Sequence, residues 1–268
     1  MHSIDILNIG YGSAAILQST DFCAIIDCKA PDAGTDQVDL QMHIHRNPVD
    51  LLILTHQHRD HWNGVSGLLD NDIAFEHCWV TPYLPQQGEL HFNADDQTAY
   101  EALLERLSQQ GTQIETVSRD RLPLQRETIT LTVLNPPNDI MGMQERQVHD
   151  GCIVIRCDTP CGTVLFGSDA TNAAWRRIAD WNAALLRADY FIASHHGADD
   201  GIDAEILQRI QPRIILLSTE EGQYPDTPHP DVLALFQQCV GDNLLRTDKH
   251  GTLTILETGV IRQNDSDN

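Results

Sequence analysis

The pattern of apolar and polar positions along the chain predicts several strands before the first long helix. A helical pattern over 37–45 is followed by the fully apolar run 50–55, which is typical of a buried strand. An amphipathic helix is predicted over 94–110 and is closed by Gly111. Three short runs near the start are rich in apolar and β-branched residues and predict strands: "IDILNIG" (4–10), "SAAILQS" (13–19) and "FCAIIDC" (22–28).

The second half of the chain alternates between strand and helix patterns. Strands are predicted at 128–137, 188–194, 213–218, 243–247 and 251–257, and a pair of strands joined by a turn at 160–162 is predicted over 152–169. Helices are predicted at 172–187, 203–210 and 231–239. This order predicts an α/β protein in which two β-sheets pack face to face with helices outside. We expect one domain over 1–268, with residues 263–268 frayed.

Polar residues cluster directly after three of the predicted strands. The clusters follow Leu54, Phe166 and Ala193. Strand ends at one edge of a sheet are where functional sites are usually built. We therefore expect the three clusters to meet.

The densest cluster is "HQHRDH" over 56–61. In an extended segment, His56 and His58 point the same way and can hold one metal ion. Asp60 and His61 lie past the strand end, where a turn can aim them at a second ion. The alternative interpretation is a polar turn without metal.

Two ions would each need a third ligand, together with a bridging carboxylate. Candidates at predicted strand ends are Asp169, His195 and His196, and His149 precedes the strand that starts at Cys152. A lone histidine is more often structural than a ligand. The cluster and its strand-end partners together favour a metal site.

The charge of the chain is strongly acidic and changes the range of expected partners. Asp and Glu number 39 against 17 Lys and Arg, which gives a net charge of −22. Such a surface repels polyanions and disfavours nucleic acid, although charges more than about 8 Å apart are largely screened at physiological salt. Two divalent ions would add positive charge at one spot. The acidity also fits a protein that works with a basic partner.

The cysteines and the apolar runs restrict the class further. Seven scattered cysteines without C-x-x-C argue against a zinc ribbon, and we interpret them as reduced, mostly buried thiols. Cys157 and Cys161 are expected in a hairpin around 160–162. No apolar run approaches the roughly 20 residues that span a bilayer, and we see no signal peptide. We expect a cytoplasmic protein that does not enter the membrane.

The motifs resemble those of a known family. "THQHRDHWNG" (55–64) resembles the metal-binding signature of the metallo-β-lactamase superfamily, whose fold is an αββα sandwich. "GSD" (167–169) resembles its bridging-aspartate motif, and "ADYFIASHHG" (188–197) resembles its late histidine motif. "HP" (229–230), "RTDKHGTL" (246–253) and the opening "LNIGYGSAAIL" (7–17) are similar to the hydrolase domain of ComEC/Rec2-type DNA-uptake proteins.

The chain also departs from that pattern. Asn8 and Ser13 stand where the opening motif usually has acidic residues. His149 stands near the third ligand of the first metal, where uptake-type domains often have asparagine. The resemblance favours His196 as the metal ligand and His195 as a substrate or proton-transfer group. The sequence carries no membrane channel, so we do not expect it to transport DNA alone.

The resemblance implies a binuclear hydrolase that holds two divalent ions, zinc or manganese. The ligand set it implies is His56, His58, Asp60, His61, His149, Asp169, His195 and His196. We expect a phosphodiesterase or nuclease that cleaves DNA with metal-activated hydroxide. Asp60, His195, Asp248 and His250 are the catalytic candidates. His229 and His250 are candidates for substrate contact, although His229 could equally cap a helix and His250 could be a plain turn residue.

Two other functions stay open. One is a hydrolase of a small ester, lactone or phosphorylated metabolite, for which the acidic surface is no obstacle. The other is a non-catalytic, metal-stabilised subunit that binds a partner. A nuclease of this type could also serve as the effector of an antiviral defence operon, controlled by a regulatory protein.

Overall fold

The computed structural model describes residues 2–31, 40–143, 146–224, 226–258 and 261–263. Within these ranges the chain forms two β-sheets with helices on their outer faces. The strands are β1 (Ser3–Ile6), β2 (Ala14–Gln18), β3 (Cys23–Cys28), β4 (Val49–Leu54), β5 (Phe75–Val80), β6 (Gln113–Thr116), β7 (Leu124–Arg126), β8 (Ile129–Asn135), β9 (Val154–Thr159), β10 (Gly162–Phe166), β11 (Tyr190–Ile192), β12 (Ile214–Leu217), β13 (Leu244–Arg246), β14 (Leu253–Leu256) and β15 (Ile261–Gln263). The α-helices are α1 (Val65–Asp70), α2 (Ala94–Gln109), α3 (Asn172–Asn182), α4 (Ala204–Ile210), α5 (Pro230–Val240) and α6 (Thr247–His250).

Each sheet is antiparallel on one side and parallel on the other. The first sheet has the order β15-β14-β1-β2-β3-β4-β5-β6, and β3 to β6 run parallel. The second sheet has the order β13-β12-β11-β10-β9-β8-β7, and β10 to β13 run parallel. The carboxyl ends of β4, β10 and β11, where the sequence places its polar clusters, therefore lie in the parallel halves.

Three apolar layers hold the sheets and helices together. Side chains of both sheets, such as Ile53 and Ile155, fill the space between them. A second layer packs α1 and α2 on the first sheet, and Leu103 is one of its buried residues. A third packs α3, α4 and α5 on the second sheet around Trp175 and Phe236. This is the predicted helix–sheet–sheet–helix sandwich, and the fold prediction is confirmed.

The long helix at 94–110 is confirmed, and its local chemistry explains its limits. The Asn93 side chain accepts hydrogen bonds from the backbone N–H groups of Asp95 and Asp96, which caps the amino end of α2. Tyr100 and Leu107 are buried on one face of the helix. The pattern thus predicted the buried face, whereas the cap by Asn93 is a finding of the structure.

Two other helix predictions differ from the structure. In the predicted helix over 37–45, the structure has only a 3-10 turn at Leu40–His43, and residues 37–39 lie outside the described part. Leu40 is the buried residue of that turn, too little to anchor a longer helix. The helix predicted to reach 187 ends at Asn182 and continues as a 3-10 turn at Ala183–Leu185. Of the residues predicted to fray, 264–268 lie outside the described part of the chain, and Gln263 lies in β15.

The cysteines behave as the sequence indicated. All seven are free, and Cys239 is the exposed one. Cys157 lies in β9 and Cys161 in the turn before β10, so the two occupy one hairpin. Among the described helices, none combines the length and apolarity needed to cross a bilayer.

Candidate metal centre

The segment that follows β4 starts the site. Thr55 directly follows the strand, residues 56–57 form a bend, and a single 3-10 turn spans Arg59–His61. His56 and His61 are completely buried, so neither imidazole can be satisfied by bulk water.

Four side chains form a first ligand cluster. The ligand atoms of His56, His58, His149 and Asp169 all lie within 4.8 Å of one another. His149 Nε2 is 2.9 Å from His58 Nδ1. Two ring nitrogens at this distance can share either a proton or an ion. His149 is thus brought to the position at which the sequence placed a third ligand.

A second cluster lies beside the first. The ligand atoms of Asp60, His61 and His196 lie within 4.8 Å of one another. Asp60 Oδ2 is 3.4 Å from His196 Nε2 and 3.8 Å from His61 Nε2. Of the two adjacent histidines, His196 is the one whose Nε2 faces Asp60.

Asp169 joins the two clusters through its two oxygens. Oδ2 is 3.7 Å from His56 Nε2 and 3.8 Å from His149 Nε2. Oδ1 is 3.2 Å from His61 Nε2 and 3.6 Å from His196 Nε2. One carboxylate oxygen for each cluster is the arrangement of a bridging ligand.

The clusters fit metal ions because their inner atoms are unsatisfied. Among the described residues, these buried inner atoms have no hydrogen-bond partner: His56 Nε2, His61 Nε2, His196 Nε2 and Asp169 Oδ1. The contact of His61 Nε2 with Asp169 therefore lacks hydrogen-bond geometry in spite of its short distance. Leaving such groups unpaired costs about 1–3 kcal/mol each, so their convergence calls for a cation. Imidazole and carboxylate together suit zinc and also accept manganese.

A buried hydrogen-bond chain behind the clusters orients His56 and His61. The Thr55 hydroxyl donates to Asp27 Oδ2, at 2.9 Å, and lies 3.1 Å from His56 Nδ1. His61 Nδ1 lies 2.6 Å from the same Asp27 oxygen. With Nδ1 donating in both rings, each Nε2 presents its lone pair to the site.

Backbone carbonyls orient two further ligands. His58 Nε2 donates to the His91 carbonyl oxygen at 2.9 Å, which leaves His58 Nδ1 as its ligand atom. His196 Nδ1 donates to the Ser218 carbonyl oxygen, also at 2.9 Å, and leaves Nε2 free. Each of these two imidazole rings is thereby held in one tautomer.

The site carries an excess of negative charge, which favours the binding of a cation. Burial alone would lower the pKa of His61, but Asp169, Asp27 and Asp60 raise it well above its usual range. Burial would raise the pKa of Asp60, but the attraction of His61 and His196 holds it well below the usual range of an aspartate. The metal-free site thus keeps a proton on His61 among three carboxylates. A metal ion would replace that proton.

Histidines of the first cluster behave in the opposite way. Burial lowers the pKa of His56 and of His149 well below the ordinary value, and the attraction of Asp169 does not compensate. Both rings are therefore neutral at physiological pH. Neutral imidazole is the form that binds a metal.

Strained backbone is concentrated at the centre. Asp27, Ser168, His195 and His196 all have left-handed φ values, between 47° and 56°. Each such residue costs about 1–3 kcal/mol and persists only where surrounding contacts enforce it. These four residues lie at or just after the ends of β3, β10 and β11, and their backbone conformation directs their side chains.

The opening turn packs against the second cluster. Gly12 has φ 130°, and a Cβ there would lie 2.6 Å from the Asp60 carbonyl oxygen. The Ser13 backbone N–H donates to that same oxygen at 3.0 Å. In place of an acidic side chain, this turn supports Asp60 through its backbone.

His195 faces a different partner from His196. Its Nδ1 lies 2.5 Å from Asp200 Oδ1, and its ring centroid is 4.2 Å from that of His149. Burial would lower the pKa of His195, but the Asp200 hydrogen bond raises it above the usual value. His195, His149 and Asp200 also form a group with ligand spacing. His195 is therefore both near the metal cluster and equipped with its own carboxylate.

The remaining predicted site residues lie at the edges of this region. His229 caps α5, where its Nδ1 accepts from the Asp231 N–H, and its own N–H donates to the Gly197 carbonyl oxygen. Asp248 is bound by the Arg246 guanidinium, and His250 Nδ1 contacts the Arg246 backbone. None of the three lines the main cavity within the described residues.

An open cavity of about 800 Å³ lies over the clusters. Its charged lining comprises the carboxylates of Asp60, Asp96, Asp169, Asp199 and Asp200 and the cationic side chains of Lys29 and Arg59. Lys29 already donates to the Ile9 and Ala30 carbonyl oxygens. Without metal the cavity is therefore acidic.

Sequence reasoning missed several residues of the site. Asp27 ends the apolar run "CAIID", and a charged residue at the end of a buried strand is a signal that could have identified it. Asp200 follows "SHHG" closely and offers a weaker signal of the same kind. His91, Tyr11 and Tyr224 lie in loops without a distinguishing pattern.

Comparison with known proteins agrees with this architecture. No family model matches the chain. The chain is 24% identical over 205 residues to ComE operon protein 3 of Bacillus subtilis (strain 168), a match that covers 76% of this chain. It spans only 24% of the length of that relative.

The solved structures that it resembles share one fold. It aligns with the metallo-β-lactamase fold protein YhfI of Bacillus subtilis at TM-score 0.55 and 15% identity, covering 91% of this chain and 96% of YhfI. The diiron β-hydroxylase CmlA of Streptomyces venezuelae gives TM-score 0.59 at 14% identity, covering 94% and 53%. Igni18, a metallo hydrolase of Ignicoccus hospitalis, gives 0.54 at 14%, covering 95% and 99%. The chain has the metallo-β-lactamase fold, and the resemblance noted from its motifs is confirmed.

Proposed function

We propose that this protein is a binuclear metal-dependent phosphodiesterase that cleaves DNA. The observation that carries the proposal is the pair of ligand clusters joined by Asp169, whose inner atoms are buried and unsatisfied. Similarity to ComE operon protein 3 and to a metallo hydrolase of the same fold supports hydrolysis as the reaction. The resemblance to DNA-uptake proteins supports a phosphodiester as the substrate.

Two zinc or manganese ions at this site would supply an activated water at neutral pH and neutralise charge on a phosphodiester. The residues of the chain would hold these two ions in position. His56, His58 and His149 hold the first position, and Asp60, His61 and His196 hold the second. Asp169 would offer one carboxylate oxygen to each position.

His195 is the proposed proton donor to the leaving oxygen. Asp200 binds its Nδ1, which leaves Nε2 as the atom that can release a proton. His195 lines the cavity, and the Asp200 hydrogen bond raises its pKa against the effect of burial, which favours the protonated ring. A group whose pKa lies near the working pH is suited to general acid catalysis.

His229, Asp248 and His250 are proposed to act less directly. Asp248 accepts a hydrogen bond from the Glu221 N–H, and Arg246 binds both carboxylates. That network anchors the start of a loop whose residues Gln223 and Tyr224 line the cavity. A direct role for Asp248 or His250 in proton transfer stays a hypothesis.

DNA cleavage tests the proposed function. The wild-type protein is incubated with single-stranded and double-stranded DNA in Mn²⁺ or Zn²⁺, beside an Asp60→Ala/His61→Ala variant. We expect cleavage by the wild type and loss of both cleavage and bound metal in the variant. An Asp242→Ala/His45→Ala protein is the matched control, because both residues are exposed and neither lines the cavity. Absence of wild-type cleavage, or equal cleavage by the ligand variant, would refute the proposal.

The acidic lining of the cavity favours a second candidate function, the hydrolysis of a small ester, lactone or phosphorylated metabolite. Five carboxylates and two cationic side chains line the opening, which does not attract a polyanion until ions are bound. A panel of carboxylic esters, lactones and cyclic nucleotides separates the two functions. Faster turnover of carboxylic esters than of any phosphodiester would select the second.

A further inference from the structure

An aromatic pair stands at the edge of the metal centre. The rings of Tyr11 and Tyr224 are stacked, with centroids 4.9 Å apart and planes inclined by 22°. The ring of Tyr11 also lies 4.6 Å from that of His196. Tyr224 nevertheless leaves 60% of its surface exposed, and both tyrosines line the cavity.

The segments that carry the two tyrosines contact polar groups of the site. Tyr11 stands between Gly10 and Gly12, both with positive φ, and Gly12 packs against the Asp60 backbone. Tyr224 lies in the loop that Asp248 and Arg246 anchor through Glu221. Tyr224 thus stacks on Tyr11 and still exposes most of its surface at the cavity.

The charges of the cavity restrict what can lie on that ring. A groove that follows a nucleic-acid backbone is lined with lysine and arginine. Here the aspartates outnumber the cationic side chains, so no such track is available among the described residues. The features that can recognise a nucleotide here are an aromatic face for a base and a metal centre for one phosphate.

We propose that Tyr11 and Tyr224 form a stacking platform for one unpaired nucleobase next to the phosphodiester held at the metal centre. This inference rests on the proposed function and specifies its substrate as single-stranded nucleic acid. In a duplex both faces of an internal base are covered by its neighbours, so such a base cannot reach the platform without being flipped out. Single strands expose that face at every nucleotide.

Substitution of the exposed ring tests the platform. Tyr224→Ala is compared with Tyr224→Trp on a single-stranded oligonucleotide in Mn²⁺. Stacking on an aromatic side chain corresponds to a loss of about 5- to 150-fold on substitution by alanine. We expect kcat/KM to fall within that range for Tyr224→Ala and to be retained by Tyr224→Trp, while bound metal stays at the wild-type level. Trp181→Ala, another exposed aromatic that does not line the cavity, is the control.

A change in the substrate provides the matching test. An abasic site is moved one nucleotide at a time along the same oligonucleotide. At one position beside the cleaved bond, it should slow the wild type about as much as Tyr224→Ala does. It should not slow Tyr224→Ala further, because the platform is already lost. Duplex of the same sequence should be cleaved more slowly than the single strand.

The results separate this inference from the proposed function. If the wild type cleaves no phosphodiester, the proposed function fails and the inference fails with it. If it cleaves single strands but Tyr224→Ala and the abasic sites leave the rate unchanged, the platform alone is refuted. Equal slowing of wild type and variant by the abasic site would also refute it.

Discussion

Two polar segments of this chain have similar composition and different chemistry. Residues 56–61 follow β4 and residues 247–250 follow β13, and each combines aspartate with histidine. In the first segment, the Nε2 atoms of His56 and His61 are buried without a hydrogen-bond partner among the described residues. In the second, the Asp248 carboxylate is bound by Arg246, and His250 Nδ1 contacts the Arg246 backbone.

The difference teaches that residue type alone does not define a metal site. Asp248 and Asp60 are the same residue at comparable places in the sheets. Arg246 already neutralises the first, whereas the second faces the imidazoles of His61 and His196. Buried, unsatisfied donor atoms that converge from different strands identify the site.

The largest expected effect comes from the carboxylate that joins the clusters. Asp169→Ala should remove a ligand atom from both metal positions and lower kcat/KM by about 10³-fold or more. The protein should also lose the thermal stabilisation that added Zn²⁺ or Mn²⁺ gives the wild type. Metal content and thermal unfolding are measured beside the exposed control Asp242→Ala. If Asp169→Ala kept two ions and near wild-type activity, the two clusters would not form one centre.

Asp27 should matter less, because it acts through His61. Asp27→Asn keeps the size of the side chain and removes the charge that holds the His61 Nδ1 proton. Loss of such a partner typically weakens metal affinity or activity by about 10- to 100-fold. Asp50→Asn is the matched control, since Asp50 lies in the neighbouring strand β4 and accepts from the Cys23 N–H. Equal metal affinity of both variants would contradict the role of Asp27.

The segment 56–61 and Asp27 show how far the sequence could predict the site. "HQHRDH" concentrates its ligands locally, so its spacing alone indicated a metal site. Asp27 stands 34 positions before His61, and only the neighbouring positions of β3 and β4 in one sheet bring them together. Periodicity likewise gave the buried strands but not β6, whose four residues are all exposed. Contacts between distant segments carry the information that the pattern lacks.

The metal-free protein should lose stability in acid. Burial lowers the pKa of His56 and His149, so below about pH 6.5 the unfolded chain binds protons that the folded chain refuses. The free energy of unfolding therefore falls as the pH drops from neutrality. Thermal unfolding of EDTA-treated protein between pH 5 and pH 7, taken in steps of roughly half a unit, measures this loss.

On the alkaline side the same protein should lose a different contribution. The raised pKa of His61, caused by Asp169 and Asp27 against the effect of burial, stabilises the fold fully below about pH 6.5. That stabilisation declines as the pH rises toward the folded-state pKa. Stability of the metal-free form should thus be highest near neutrality, whereas metal affinity increases with pH because His61 must release its proton. A midpoint that only rises from pH 5 to 9 would contradict the charge assignment of His61.

The smallest effect is expected at residues 247–250, where Asp248 and His250 already have hydrogen-bond partners. Asp248→Asn removes the charge that binds Arg246 but leaves all the ligand atoms of the two clusters in place. Because the loop that carries Tyr224 begins at this network, the change should appear mainly in KM for single-stranded substrate, by about 2- to 5-fold, with kcat and metal content kept. His250→Gln, which retains a side-chain hydrogen-bonding group near Arg246, should change still less. A fall in kcat for Asp248→Asn comparable with that of Asp169→Ala would instead make Asp248 a catalytic residue, and satisfied hydrogen bonds would no longer distinguish the two segments.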